Sequence, residues 1–122
     1  MLADDLDQFI RKHVRSLAAL EILLLVHRTG PQSWSTDELS RELRSNPKLV
    51  ADILTKLERS GLIRRDAEER YNGTSAAPEL RRMVARLEES YATYPFAVRR
   101  AIYATPVEQI QALADAFKVR KE

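Results

Sequence analysis

Two apolar stripes with helical spacing are separated by one short polar link, and that link constrains the chain more than any other feature. Leu39 and Leu43 in "STDELSRELRS" stand one helical turn apart. Val50, Ile53, Leu54 and Leu57 in "NPKLVADILTKLERSGLI" follow the i, i+3, i+4, i+7 pattern of one helix face. Only "RSNP", Arg44–Pro47, lies between them. Two short helices joined so tightly must cross at a steep angle. The ends are marked as clearly as the middles. Ser35 with Glu38 three residues later is a capping box. Asn46 suits an N-cap and Pro47 the first helical position, and Gly61 is placed to end the second helix as a C′ glycine.

The flanks extend the pattern in both directions. "LADDLDQFIRKHV" has apolar residues at Leu2, Leu6, Phe9, Ile10 and Val14, with acids in its first turn where a helix dipole favours them. Ser16 is a candidate cap for a helix from Leu17 to about Arg28, stopped by "TGP". Its run "LAALEILLLV", broken by Glu21, is too short to span a bilayer and suits a buried core helix. Trp34 sits just before the capping box, as a very short strand or a staple onto the core. After Gly61, "LIRRD", "AEE" and "RYNGTS" read as strand, turn and strand, a hairpin. Three helical segments follow, "ELRRMVARLEESYATY", "FAVRRAIYA" and "VEQIQALADAF", divided by Pro95 and Pro106, with a basic tail "KVRKE". The 122 residues are enough for one domain and one core. The expected fold class is mainly α with a small β-hairpin wing: a helix-turn-helix with additional N- and C-terminal helices.

Charge narrows the list of partners. The formal net charge is +2. Residues 1–60 carry nine Lys+Arg and nine Asp+Glu, and residues 61–122 carry eleven and nine, so the excess lies in the second half. Fifteen of the twenty cations are arginine. Arginine grips phosphate in a bidentate fork, which suits a nucleic-acid partner. A GC-rich genome gives the same bias. There is no cysteine, which removes disulfides, thiolate metal sites and a cysteine nucleophile. That, with an acidic rather than basic start, fits a cytoplasmic protein.

In "STDELSRELRSNPKLVADILTKLERSGLIRRD" the chain resembles the winged helix-turn-helix of bacterial transcription regulators of the MarR-like sort. The family pattern has a short helix, then a recognition helix ending in L-x-x-L-e-x-x-G-L-[IV]. Leu54, Leu57, Glu58, Gly61, Leu62 and Ile63 fill it, and the likeness covers about residues 17–75. The resemblance implies a winged core at 17–75 flanked by helices at 1–16 and 78–118. It implies double-stranded DNA as partner, with helix 46–60 in the major groove and a wing at 62–75. Carried over residue by residue, it makes Asn46 and Lys48 candidates for base edges and Lys56 for a phosphate. Leu49 offers only methyl contacts. Thr36, Arg44 and Ser45 would meet the backbone, and Arg64, Arg65, Arg70 and Tyr71 would line the wing. Asp52 departs from the pattern, since an acid there repels phosphate although it can accept from cytosine N4. Glu68 and Glu69 make the wing tip acidic. The alternative function is a winged-helix protein-interaction module that does not read DNA sequence.

The C-terminal aromatics support three readings. Tyr91, Tyr94, Phe96 and Tyr103, beside Arg99 and Arg100, can pack on "DQFIRKHV" and finish the core, which is the plainest reading. With Phe9 they can instead form a homodimer interface, as the resemblance implies, or a surface for another protein. No catalytic set, Walker motif or nucleotide-binding glycine fingerprint is present, so neither an enzyme nor a cofactor is expected. His13 and His27 lack ligand spacing, and Asp4, Asp5 and Asp7 suit a first helical turn better than a metal. "NGTS" at Asn72–Ser75 fits a turn.

Overall fold

Central to the architecture is α2 (Leu17–Arg28), whose sequence is apolar on nearly every side. Ala19, Leu20, Ile22, Leu23, Leu24 and Val26 are all buried, and Glu21 alone breaks the run by facing solvent. The computed structural model describes residues 2–73 and 77–103. Around α2 it places α1 (Asp4–His13), α3 (Thr36–Leu43), α4 (Pro47–Arg59), β1 (Arg64–Arg65), β2 (Tyr71–Asn72), α5 (Pro78–Thr93) and α6 (Pro95–Tyr103). The segment "VEQIQALADAF" and the basic tail lie outside the described residues.

Two groups of helices share α2. On one side α3 and α4 pack on each other and on α2. On the other, α1 packs against α5 and α6, and α5 also reaches α2. Leu6, Phe9 and Ile10 of α1, Val84 and Leu87 of α5, and Val98, Ala101 and Ile102 of α6 join one continuous core with α2 and α4. Burying each such large apolar side chain stabilises the fold by about 1.5–3 kcal/mol. At the rim, Arg86 forks both carboxylate oxygens of Asp5 (2.7 and 3.0 Å), and Arg28 meets Glu88 at 2.8 Å.

Local chemistry places the helix ends. The Ser16 side chain accepts from the Ala19 amide at 3.0 Å. Gly30 takes φ +61° after α2, where a β-carbon is disfavoured. Gly61, at φ +77°, closes α4 in a Schellman pattern: the Gly61 amide donates to Glu58 and the Leu62 amide back to Leu57.

The strands are shorter than the sequence suggests. β1 and β2 pair antiparallel over two registers only, Arg64 with Asn72 and Arg65 with Tyr71. Trp34 adds a third, single-residue rung by exchanging two backbone hydrogen bonds with Tyr71, each 2.8 Å. Leu62 and Ile63, expected within the first strand, instead turn into the core.

Candidate nucleic-acid interface

The capping box of α3 is complete: Ser35 Oγ accepts from the Glu38 amide, and Glu38 Oε1 accepts from the Ser35 amide at 3.0 Å. Ser40, the one buried polar side chain among the described residues, donates to the Thr36 carbonyl at 2.7 Å. The helix ends where Arg44 enters the left-handed region at φ +52°. That reversal turns the chain in one residue and lets α4 start at once. Asn46 Oδ1 then accepts from the Lys48 amide at 2.8 Å and the Leu49 amide at 3.4 Å, and Pro47 fills the first helical position.

The packing of α4 is one-sided. Val50, Ile53, Leu54 and Leu57 face inward and are buried. Asn46, Lys48, Leu49, Ala51, Asp52 and Thr55 line a shallow open groove along the outer face. Leu49 is 47% exposed, large for a leucine that only fills space. Thr55 donates its hydroxyl to the Ala51 carbonyl at 3.0 Å, within its own helix. Lys56 meets Asp52 at 3.2 Å, so the acid that departs from the family pattern has a cation one turn away. Both are well exposed, and such a pair contributes little to stability. Lys48, Arg59 and Arg44 have no ionic partner among the described residues. The half-buried Thr36 stands at the start of α3, and half-buried Ser45 hydrogen-bonds the Leu43 carbonyl at 3.3 Å.

On the hairpin, exposed Arg64 has no ionic partner among the described residues, while Arg65 meets Glu69 at 3.2 Å. The tip is built by Asp66: its Oδ1 accepts from the amides of Glu68 and Arg70, and Glu69 takes φ +60°. Arg70, expected on the duplex-facing side, bends back instead. Its Nε donates to Ser33 Oγ (2.9 Å), and Nη2 donates to the Ser33 carbonyl (3.0 Å) and to Glu38 Oε1 (2.6 Å). Tyr71, expected to line the wing, is a correction: only 7% exposed, it belongs to the core. Its neighbour Gly73 lies so close to α2 that an added β-carbon would stand 3.1 Å from the His27 ring. His27 Nε2 lies 2.7 Å from the Leu62 carbonyl, which can only accept, so Nε2 carries the proton. Burial holds the His27 pKa below its ordinary 6.5, against the opposing pull of that carbonyl.

The C-terminal aromatics also need correction. Phe9, offered for an interface, is buried in the core and stacks tilted on His13 at 5.1 Å. Tyr91 is half-buried against the core. Tyr94, Phe96 and Tyr103 do not finish the core: they are 50%, 76% and 64% exposed. The aliphatic side of α6 does that work, and Arg99 and Arg100 are exposed beside the aromatics.

One feature escaped the sequence reading. A cleft of about 420 Å³ opens between the α1–α2 junction and the side of α4. Ala19, Ile53 and Leu57 are among its apolar lining residues, and Lys12, Arg15 and Arg59 among its cations. These residues are distant in sequence, and only the packing of α2 against α4 brings them together. Among the described residues no group of His, Asp or Glu side chains is placed to hold a metal, and no helix is long and apolar enough to cross a membrane.

Known proteins resemble this arrangement. Residues 16–70 match the model of the MarR family. MepR, a transcription regulator of the Staphylococcus aureus multidrug efflux pump MepA, superposes with a TM-score of 0.56 at 18% identity, over 96% of this chain and 86% of that one. A MepR mutant bound to an oligodeoxyribonucleotide gives 0.53 at 16% identity, over 96% and 86%. Reduced HlyU from Vibrio cholerae gives 0.52 at 23% identity, over 74% and 90%. No curated protein matches the sequence. The chain thus carries, over residues 16–70, a winged helix-turn-helix that matches the MarR family.

Proposed function

We propose that the protein is a DNA-binding transcriptional regulator, a single domain over 1–122, that lays α4 in the major groove and sets the β1–β2 wing beside it. The observation that carries this reading is the one-sidedness of α4. One face is fully committed to the core, and the other presents Asn46, Lys48, Leu49 and Thr55 in an open groove that no other described element covers. Asn46 spends Oδ1 on the cap and keeps its amide nitrogen for a base edge. Lys48, Arg44 and Arg64 are exposed cations flanking that face, suited to phosphate or guanine. The oligonucleotide held by the MepR mutant supports the same use of this fold. No catalytic role is proposed.

The test is sequencing of genomic fragments retained by the purified protein, beside a Lys48→Ala/Arg64→Ala variant. The expected result is a shared motif, two-fold symmetric if two copies bind, that the variant fails to enrich. No retention at moderate salt would overturn the reading.

Homodimerisation belongs to the same proposal. Tyr94 and Phe96 at the α5–α6 junction and Tyr103 at the far end of α6 expose rings that a second copy would cover. Phe96→Asp is expected to lower the mass measured by light scattering from dimer to monomer while leaving helical content intact. A second reading, a module that binds another protein instead of DNA, is favoured by two internal ion pairs, Lys56–Asp52 and Arg65–Glu69, which offset cations the duplex would need.

A further inference from the structure

The wing has little of its own to hold it. Its ladder is two registers plus the Trp34 rung, and its tip is an Asp66-centred turn. Buried Leu62, Ile63 and Tyr71 seat the hairpin's base in the core, and one side chain adds a polar tie from it to the helix-turn-helix. Arg70 reaches across to Ser33 and to Glu38, and Glu38 Oε1 is also the oxygen that closes the α3 capping box on the Ser35 amide. One carboxylate oxygen therefore serves the start of the first helix and the base of the wing together.

We propose that Arg70 is a positioning residue, not a duplex contact: through Glu38 and Ser33 it sets where the wing cations Arg64 and Arg65 stand relative to α4. The proposal rests on the DNA-binding reading and refines it. Two of the three guanidinium nitrogens are engaged within the protein, in a planar fork that lysine cannot reproduce. Releasing them to a phosphate would leave Glu38 unpaired beside the polyanion. The pair is still about one-third open to solvent, 34% for Arg70 and 38% for Glu38, so either member can be replaced without hollowing the core.

Glu38→Gln separates the two roles, because glutamine at that position still completes a capping box but carries no charge. Duplex affinity would be measured against salt concentration, by fluorescence anisotropy on a labelled fragment retained from the genome, for Glu38→Gln, Arg70→Gln, Arg70→Lys and the double glutamine variant. Amide exchange of Arg65, Tyr71 and Trp34 in the protein alone is the second readout. If Arg70 positions, Glu38→Gln and Arg70→Gln each weaken binding roughly tenfold, and the double variant is little worse than either single one. Arg70→Lys then fails as badly as Arg70→Gln. Any change in the slope of log affinity on log salt is then shared by Glu38→Gln and Arg70→Gln, since both act only through the placement of Arg64 and Arg65. Wing amides exchange faster in all four variants.

If Arg70 grips phosphate instead, Glu38→Gln leaves binding unchanged or tightens it, Arg70→Lys keeps most of the affinity, and Arg70→Gln lowers the slope by about 0.9 while Glu38→Gln leaves it at the wild-type value. Any of those results overturns the proposal, as do unchanged wing amides. Failure of the wild type to bind duplex would instead overturn the proposed function. The exchange data would still decide whether Arg70 and Glu38 hold the wing.

Discussion

The two parts of the candidate interface are anchored by different physics. α4 is held by four buried aliphatic side chains, Val50, Ile53, Leu54 and Leu57, which respond little to salt and make no demand on protonation. The wing is buried only at its base, through Leu62, Ile63 and Tyr71, and beyond that it is held by polar geometry: two ladder registers, a turn centred on Asp66, and the Arg70 link to Ser33 and Glu38. A helix fixed by volume keeps its place until the fold melts. A hairpin seated at its base but aimed by a few charged hydrogen bonds can have its outer part re-aimed without melting the core. The element read as touching base edges is the rigid one, and the element read as touching the flanking backbone is the adjustable one.

The contrast can be broken most violently from the α4 side. Leu54→Ala removes a fully buried side chain from the helix that seats the interface. It is expected to cost about 2–5 kcal/mol in urea denaturation and, in so small a domain, to leave much of the chain unfolded. A loss below about 1 kcal/mol would mean that α4 is not held as described. Gly73→Ala comes next. A β-carbon 3.1 Å from the His27 ring forces either α2 or the strand to shift. The expected cost is about 1–3 kcal/mol, with weakening of the His27–Leu62 bond visible in imidazole NMR. Asn46→Ala should cost about 1 kcal/mol through the lost cap while also changing which duplex is preferred.

Proton linkage sharpens the comparison further. Burial depresses the pKa of His27 and of His13 below 6.5. The unfolded chain then takes up protons first, so stability is full above about pH 6.5 and falls as pH drops below it toward the depressed folded values. His27→Gln should flatten that decline in part, with His13 supplying what remains. Glu38 is likewise held low, first by the Ser35 amide and then by Arg70, so its contribution is present above the usual carboxylate range and lost as pH falls through it. A wild-type stability that is level from pH 7 to 5 would refute the histidine account. The smallest effect is expected from Lys56→Ala. Its pair with Asp52 is open to water, so the melting temperature should barely move.

What was legible in the sequence was what the chain decides locally. Ser16, the Ser35–Glu38 box and Asn46 announce helix starts because a cap side chain bonds to an amide two or three residues away, and Gly61 announces a helix end because glycine takes the left-handed φ found there. The inward face of α4 follows from spacing alone. The wing was harder, since strands of two residues offer no alternation from which to tell inside from outside. Tyr71 therefore read as a surface contact, although it is buried, and Arg70 read as outward although it turns back to Ser33 and Glu38. Those partners lie 37 and 32 residues away in sequence, and no short-range pattern points to them. The aromatics misled for a different reason. Large rings suggest burial, yet in α6 Val98, Ala101 and Ile102, spaced i, i+3, i+4, mark the inward side, leaving Phe96 and Tyr103 outside. Here periodicity was the better guide than residue size.

The Trp34 rung has a practical use. It is the sole tryptophan, half-buried at the foot of the wing, with its backbone paired to Tyr71 and its indole nitrogen donating to Thr29 at 2.9 Å. Excitation at the red edge of the protein band therefore reports from a single place, where strand, turn and first helix meet. The chain comes with a native optical gauge of its wing, one that needs neither label nor added cysteine and can follow the hairpin in real time while a duplex is mixed in.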